Sequence, residues 1–174
     1  YAWGVPEIMA DFVKKLPESR AYTFGACTCG GDAGLTMKQF SKLYRLDSSY
    51  SLLMPNNYII GSDTDDEKEI LQKIAAAREK LKQIAQEIQR QERSYRVHEG
   101  KLAGVKSHLA NFGFNKFARS AKPFYAEDSC NGCGQCAGNC PASVISLREK
   151  RPVWAAQCFQ CLRCINECPQ QAIQ

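Results

Sequence analysis

Histidine is almost missing from this chain, with two in 174 residues, and methionine and tryptophan are nearly as rare at three and two. His98 and His108 stand ten positions apart on helical segments, a pattern of surface residues rather than of a metal or proton-transfer site. No nucleophile–base constellation and no carboxylate pair stands out, so side-chain catalysis finds little support. No apolar run approaches the length of a membrane span. The stretch Tyr1–Ala10 lacks a basic segment followed by an apolar core, so no secretory leader is expected there. Basic residues are not interleaved with aromatics as a nucleic-acid surface requires. The net charge of +5 comes from alternating signs rather than a block, the mark of a solvated surface. These absences exclude nucleic-acid and membrane partners from the expectation and favour a cytoplasmic, reducing setting.

Cysteine, by contrast, is abundant at ten, and eight of the ten repeat one spacing. Cys130-x2-Cys133-x2-Cys136-x3-Cys140-Pro141 is followed, 28 residues on, by Cys158-x2-Cys161-x2-Cys164-x3-Cys168-Pro169. Three thiolates at every third position can wrap a short loop around one cubane of iron and sulfide. The fourth lies too far round the turn and ligates the other cage. The spacing therefore predicts two [4Fe-4S] clusters, one on Cys130, Cys133, Cys136 and Cys168, the other on Cys158, Cys161, Cys164 and Cys140. Zinc sites also use Cys-x2-Cys, but as separated pairs without a third cysteine at the same step. A disulfide framework belongs to small secreted domains. No His replaces a Cys within either motif, against a Rieske-type centre, and no Cys-x3-Cys-x2-Cys run suggests radical chemistry on S-adenosylmethionine.

The other singled-out residues have plainer readings. Cys27 and Cys29 lack partners and read as one inward strand cysteine and one loop cysteine. Phe159, between two ligands, is expected to shield its cluster from water, and Trp154 and Tyr125 to fill a small core. Pro123–Gln174 is too short for a large core, so its clusters are expected to nucleate its folding.

Ahead of the cysteines, the patterning alternates. Pro6 can open a helix whose stripe of Ile8, Met9, Phe12, Val13 and Leu16 ends at Pro17. Ala21–Cys27 reads as a buried strand, Thr28–Gly34 as a glycine-rich loop, Leu35–Leu46 as a helix and Ser49–Met54 as a second strand. Strand, helix and strand in alternation imply a parallel α/β sheet. A long helix is predicted over Asp65–Glu99, acidic in its first turn, with Ile70, Ile74, Ala77, Leu81, Ile84, Ile88 and Tyr95 in a seam. Its first half is expected on the sheet and its second half to span toward the cluster domain, with a coiled coil as the alternative. Gly100–Gly104 breaks it, and Leu102, Val105, Leu109 and Phe112 make a shorter helix. The expected domains are residues 1–64, partial α/β; 65–122, long helix and helical linker; and 123–174, the cluster domain.

On the two cysteine motifs, their prolines and the strand Val144–Leu147, the C-terminal part resembles a bacterial-type two-cluster ferredoxin. The N-terminal part resembles the latter half of a flavodoxin, and the combination is similar to flavodoxin–ferredoxin fusion proteins of anaerobic bacteria and archaea. The resemblance implies a partial flavodoxin-like parallel sheet, a long helix and then a small α+β ferredoxin-like domain. It also implies loops against an FMN ring, formed by Ala2, Trp3 and Gly4 on one side and Thr28, Cys29, Gly30 and Gly31 on the other. Ligands sit at the carboxyl ends of strands in such sheets. The family's phosphate loop has no counterpart in the chain and would lie N-terminal to Tyr1. The expected function is electron transfer between a redox protein donor and a redox protein acceptor. The alternatives are a flavin-dependent iron–sulfur reductase and a redox sensor acting through Asp65–Glu99.

Overall fold

The computed structural model describes residues 2–59, 64–155 and 157–174, so Tyr1, expected in a loop, lies outside the described residues. The chain divides into two compact units, Tyr1–Phe112 and Gly113–Gln174.

In the first unit, helix α1 (Glu7–Val13) precedes strand β1 (Phe24–Cys29), helix α2 (Thr36–Leu43), strand β2 (Ser48–Leu53), helix α3 (Glu67–Gln89) and strand β3 (Tyr95–Arg96). The three strands form one parallel sheet in the order β1-β2-β3, with Phe24 opposite Ser48 and Ser49 opposite Tyr95. The alternation of strands and helices thus builds the parallel sheet expected of it. Strand β1 begins three residues later than predicted and takes in Thr28 and Cys29, leaving the glycine-rich loop to start at Gly30. Pro6 stands at the N-cap of α1 rather than in its first turn. Along α1, Val13 is buried while Ile8, Met9, Phe12 and Leu16 are exposed, so the predicted stripe turns outward over most of its length.

Strand β2 (SSYSLL) is buried along five of its six residues, an odd composition for a central strand. The hydroxyls explain it. Ser48 Oγ donates to the Glu92 carbonyl (2.6 Å) and accepts from the Ser94 N–H (2.9 Å), and Ser51 Oγ accepts from the His98 N–H (2.8 Å). These bonds satisfy buried polar atoms and pin the chain beyond α3 against the sheet. Tyr50 and Leu52 meet Ile84, with Ile88 packed against them.

The long helix differs from expectation. It is capped by Asp66, whose carboxylate accepts from the Glu69 N–H (2.7 Å), and it ends at Gln89 rather than Glu99. Gln91 takes a left-handed φ of 52°, the Gln91 N–H bonds the Ile88 carbonyl, and the Glu92 N–H bonds the Glu87 carbonyl. This is the Schellman arrangement, built with Gln where glycine is usual. Tyr95, read as the last residue of the helical seam, therefore lies in β3. Ile84 and Ile88 place the second half of α3 on the sheet rather than spanning away from it, and Leu71 and Leu81 are exposed. Beyond β3 come α4 (Ala103–Val105), a π-helical stretch Lys106–Ala110 and α5 (Asn111–Gly113). The stripe of Leu102, Val105, Leu109 and Phe112 is exposed there.

The second unit contains a π-helical stretch Phe114–Ala118, helix α6 (Gln135–Gly138), the antiparallel pair β4 (Ile145–Arg148) and β5 (Arg151–Trp154), and helix α7 (Arg163–Asn166). Glu149 and Lys150, both at positive φ, make the two-residue turn between β4 and β5. Among the described residues, no helix is long and apolar enough to cross a membrane.

Candidate iron–sulfur site

The sequence repeat is also a backbone repeat. Helices α6 and α7 are offset by the same 28 residues as the cysteine motifs. Left-handed φ values recur in register at Gly132 and Gln160 (72° and 55°), Gly134 and Leu162 (78° and 56°), and Ser143 and Gln171 (52° and 48°). Hydrogen bonds recur with them. The Ala137 N–H bonds the Gly134 carbonyl as the Ile165 N–H bonds that of Leu162, and the Ser143 N–H bonds the Cys140 carbonyl as the Gln171 N–H bonds that of Cys168. The β pairing follows suit, Ile145 opposite Trp154 in one copy and Ile173 opposite Ala126 in the other.

Gly132, Gly134, Gln160 and Leu162 fall between successive cysteines of their motif, and their left-handed conformation curls the loop there. The first copy uses glycine at both loop positions, and at Gly132 nothing else fits. A Cβ there would lie 2.6 Å from the Lys150 carbonyl oxygen. The second copy carries Gln160 and Leu162 instead, held by packing and bonding. Leu162 is buried, and Gln160 Nε2 donates to the Ser120 carbonyl (3.0 Å).

The result is a cavity lined by Cys130, Cys133, Cys136 and Cys168, with Gly132, Gly134, Leu147, Pro152, Pro169 and Ile173 among its walls. Three cysteines of the first motif thus line it together with the last cysteine of the second, and the wall is largely apolar. The sulfurs surround a space rather than a point. Among the described residues no three His, Cys, Asp or Glu side chains converge on a single ion. A group offering each thiolate its own attachment point fits this donor set, as an iron–sulfur cage does.

The remaining four cysteines group likewise. Burial raises the Cys158 thiol above its ordinary value; the Gln160 N–H opposes it, and the Cys161 and Cys140 sulfurs add to it. Burial pushes Cys164 up to about 11, opposed by the indole N–H of Trp154 and helped by Cys158 and Cys161. Cys136 is raised by burial as well, with Cys133 and Cys130 as its charged neighbours. Cys140 therefore stands with the 158–164 loop, the reciprocal of Cys168. Backbone N–H groups already point at sulfur, from Gln160 to Cys158 (3.3 Å) and from Ala172 to Cys168 (3.4 Å). Such donors favour the charged thiolate that a metal requires. All ten cysteines are unbridged. Cys158 is buried and Cys133 exposed, so the two sets differ in access to water.

Phe159 is half-buried, and the Arg119 guanidinium lies 6.0 Å from its ring centre while Arg119 Nε donates to the Cys158 carbonyl (3.4 Å). Tyr125 is exposed rather than core filler. Trp154 stacks on Phe124 at 6.1 Å, a pairing that sequence reading missed.

The residues expected against a flavin have the following settings. Trp3 adjoins Gly34 and lies beneath the Lys106 ammonium, 5.4 Å from its ring centre. Gly4 is buried against Asn111, and Ala2 offers its carbonyl to Asn111 Nδ2 (3.2 Å). Thr28 and Cys29 belong to β1, with Cys29 Sγ near the Leu52 carbonyl at 3.8 Å. Gly30 accepts from Lys73 Nζ (3.3 Å) through its carbonyl, and Gly31 has open space around it.

Comparison with known proteins agrees with the C-terminal geometry. Residues 129–173 match the family described as a 4Fe-4S dicluster domain. The chain is 39% identical over 70 residues to a protein of Escherichia coli (strain K12) described as "Putative electron transport protein YccM". That similarity covers 40% of this chain and 17% of the relative, so the chain spans a small part of that protein's length. No solved structure matches the chain. Its C-terminal unit accordingly carries an iron–sulfur domain of the 4Fe-4S dicluster ferredoxin type.

Proposed function

We propose that this chain is an electron carrier holding two [4Fe-4S] clusters, which passes single electrons between a redox protein donor and a redox protein acceptor. Cys130, Cys133, Cys136 and Cys168 would hold one cluster, and Cys158, Cys161, Cys164 and Cys140 the other. The observation that carries this is the cavity where Cys168 joins the three cysteines of the other motif. The similarity to a protein described as an electron transport protein supports it. When bound, such clusters supply reversible one-electron storage. The chain's own part is to supply thiolates, aim N–H dipoles at them and keep water from the inner sulfurs. Ligands drawn from both motifs tie the two sites into one rigid piece, which shortens any electron path between them. Eight thiolates kept for metal suit the reducing cytoplasm.

Anaerobic reconstitution tests this directly. About eight irons and eight sulfides per chain are expected. Two zinc ions without acid-labile sulfide would reject it.

For the first unit we propose kinship with the flavodoxin half of flavodoxin–ferredoxin fusions, with FMN as the cofactor of the intact architecture. Supporting it, the loops after β1 and β2 approach each other at the carboxyl end of a parallel sheet, where Gly30 borders Asn56. Titration with FMN, followed by flavin fluorescence, should show quenching; unchanged fluorescence at high protein concentration would count against it.

A further inference from the structure

We infer that the segment Arg119–Ala121 is a strap that closes the second-motif site to solvent and leaves the first-motif site open. The cluster on Cys158, Cys161, Cys164 and Cys140 is then the protected one. The cluster on Cys130, Cys133, Cys136 and Cys168 is the one that reagents in solution reach first. This rests on the two-cluster reading proposed above.

The strap is fastened to the second ligand loop by backbone and side chains together. Ser120 pairs with Gln157 in an isolated antiparallel bridge, and the Cys158 N–H donates to the Arg119 carbonyl (2.8 Å). Gln160 Nε2 donates to the Ser120 carbonyl (3.0 Å), and the Arg119 guanidinium lies 6.0 Å from the ring centre of Phe159. In the loop, Cys158, Gln160 and Leu162 are 8%, 4% and 1% exposed, and Ala121 of the strap is 1% exposed. A segment held this way opens rarely, because each opening breaks bonds and wets packed side chains at once.

Among the described residues the first loop carries no such cover. At the 28-residue offset, Phe159, Gln160 and Leu162 correspond to Asn131, Gly132 and Gly134. The Cys130 N–H, counterpart of that of Cys158, bonds the Glu127 carbonyl three residues back (3.0 Å) rather than a separate segment. Asn131, Cys133 and Gln135 are exposed, and Asn131 Oδ1 accepts from the Cys133 N–H (3.1 Å) within the loop itself. Two loops of one backbone conformation thus differ in what lies over them.

The test is timed removal of iron from the reconstituted full chain, anaerobically and with dithionite present, by a ferrous chelator together with iodoacetamide. Each thiolate freed of its iron displaces iodide and is alkylated, and peptide mass spectrometry reads the order. Cys130, Cys133, Cys136 and Cys168 should be labelled first, while about four irons remain bound. Gln160→Gly keeps the left-handed loop, since glycine holds the same place at Gly132, and removes the bond to Ser120. It should speed labelling of the second set about fivefold, the share of one hydrogen bond, and leave the first set unchanged. Both sets labelled together in the natural protein, or the second set first, would overturn the inference. Unaltered rates in Gln160→Gly would overturn it too. If that variant does not load, Arg119→Ala frees the Phe159 face and is judged by the same rates. A natural protein that takes up no iron sinks the carrier proposal itself; a loaded one whose two sets react alike sinks this inference alone.

Discussion

Single residues decide how tightly the ligand loops can curl. Gly132 combines a φ of 72° with a space closed by the Lys150 carbonyl, so a side chain there meets strain and steric overlap together. The left-handed conformation alone costs an L-residue about 1–2 kcal/mol. Gly132→Ala should therefore displace the β4–β5 turn and cost about four irons per chain on reconstitution, the content of one cubane. Gly138 is the control: it is helical, and nothing lies within 4 Å of its would-be Cβ. Gly138→Ala should keep full iron and gain about 0.5–1 kcal/mol through helix propensity. Equal iron loss in both would show that any substitution near the ligands is harmful and that the fit at Gly132 is not the cause.

At the scale of elements, α3 shows what sequence periodicity can and cannot report. Its start was legible: Asp66 with Glu67 and Glu69 is a capping signal, and the cap bond is formed. Its end was not, because the reversal falls on Gln91 and no glycine marks it. Gln91→Gly should accordingly raise stability by about 1 kcal/mol in denaturant unfolding of the full chain, by relieving the left-handed φ. The seam from Ile70 to Ile88 was legible as apolar, but spacing alone cannot separate a face on a sheet from a face in a coiled coil. Packing separates them. Ile84 is buried against Tyr50 and Leu52, while Leu81 is 48% exposed. Ile84→Ala should cost about 2–4 kcal/mol and Leu81→Ala under about 0.5; similar costs would indicate a second surface covering Leu81. The cysteine spacing was the most legible element because ligand geometry constrains it directly. The stacking of Trp154 on Phe124 was not legible, because the two residues lie far apart in sequence and spacing alone does not pair them.

At the scale of the whole molecule, the two units are held by different chemistry, and so should fail under different insults. The first unit depends on charged contacts. The Thr23 N–H and the Arg45 guanidinium hold Asp47 below its ordinary value, the Lys73 ammonium does the same for Asp65, and Lys38 for Glu99. A folded-state value below the unfolded one contributes stability above the unfolded pKa, near 4 for carboxylates, and loses it as pH falls through the lowered folded value. Acid should therefore melt the helix Glu67–Gln89 progressively below about pH 4, by far-ultraviolet circular dichroism, and Asp65→Asn should flatten part of that dependence.

The second unit has few apolar residues to hold it without metal. Among the described residues its buried hydrophobic ones are Ala121, Ile145, Cys158, Leu162, Ala172 and Ile173, and the cysteine among them is a proposed ligand. Six residues, two of them alanine, cannot offset the entropy of ordering a chain this short, so the free energy of cluster binding must serve as folding energy. Chelation of iron under reducing conditions at neutral pH should abolish the near-ultraviolet signal of Trp154 packed on Phe124 along with the visible absorption. The far-ultraviolet helix signal, most of which comes from the 23 residues of α3, should largely persist, because that helix rests on Tyr50 and Leu52 and not on sulfur. Joint loss of both signals would mean that the clusters also support the sheet, and neither changing would mean that the ligand loops fold without metal.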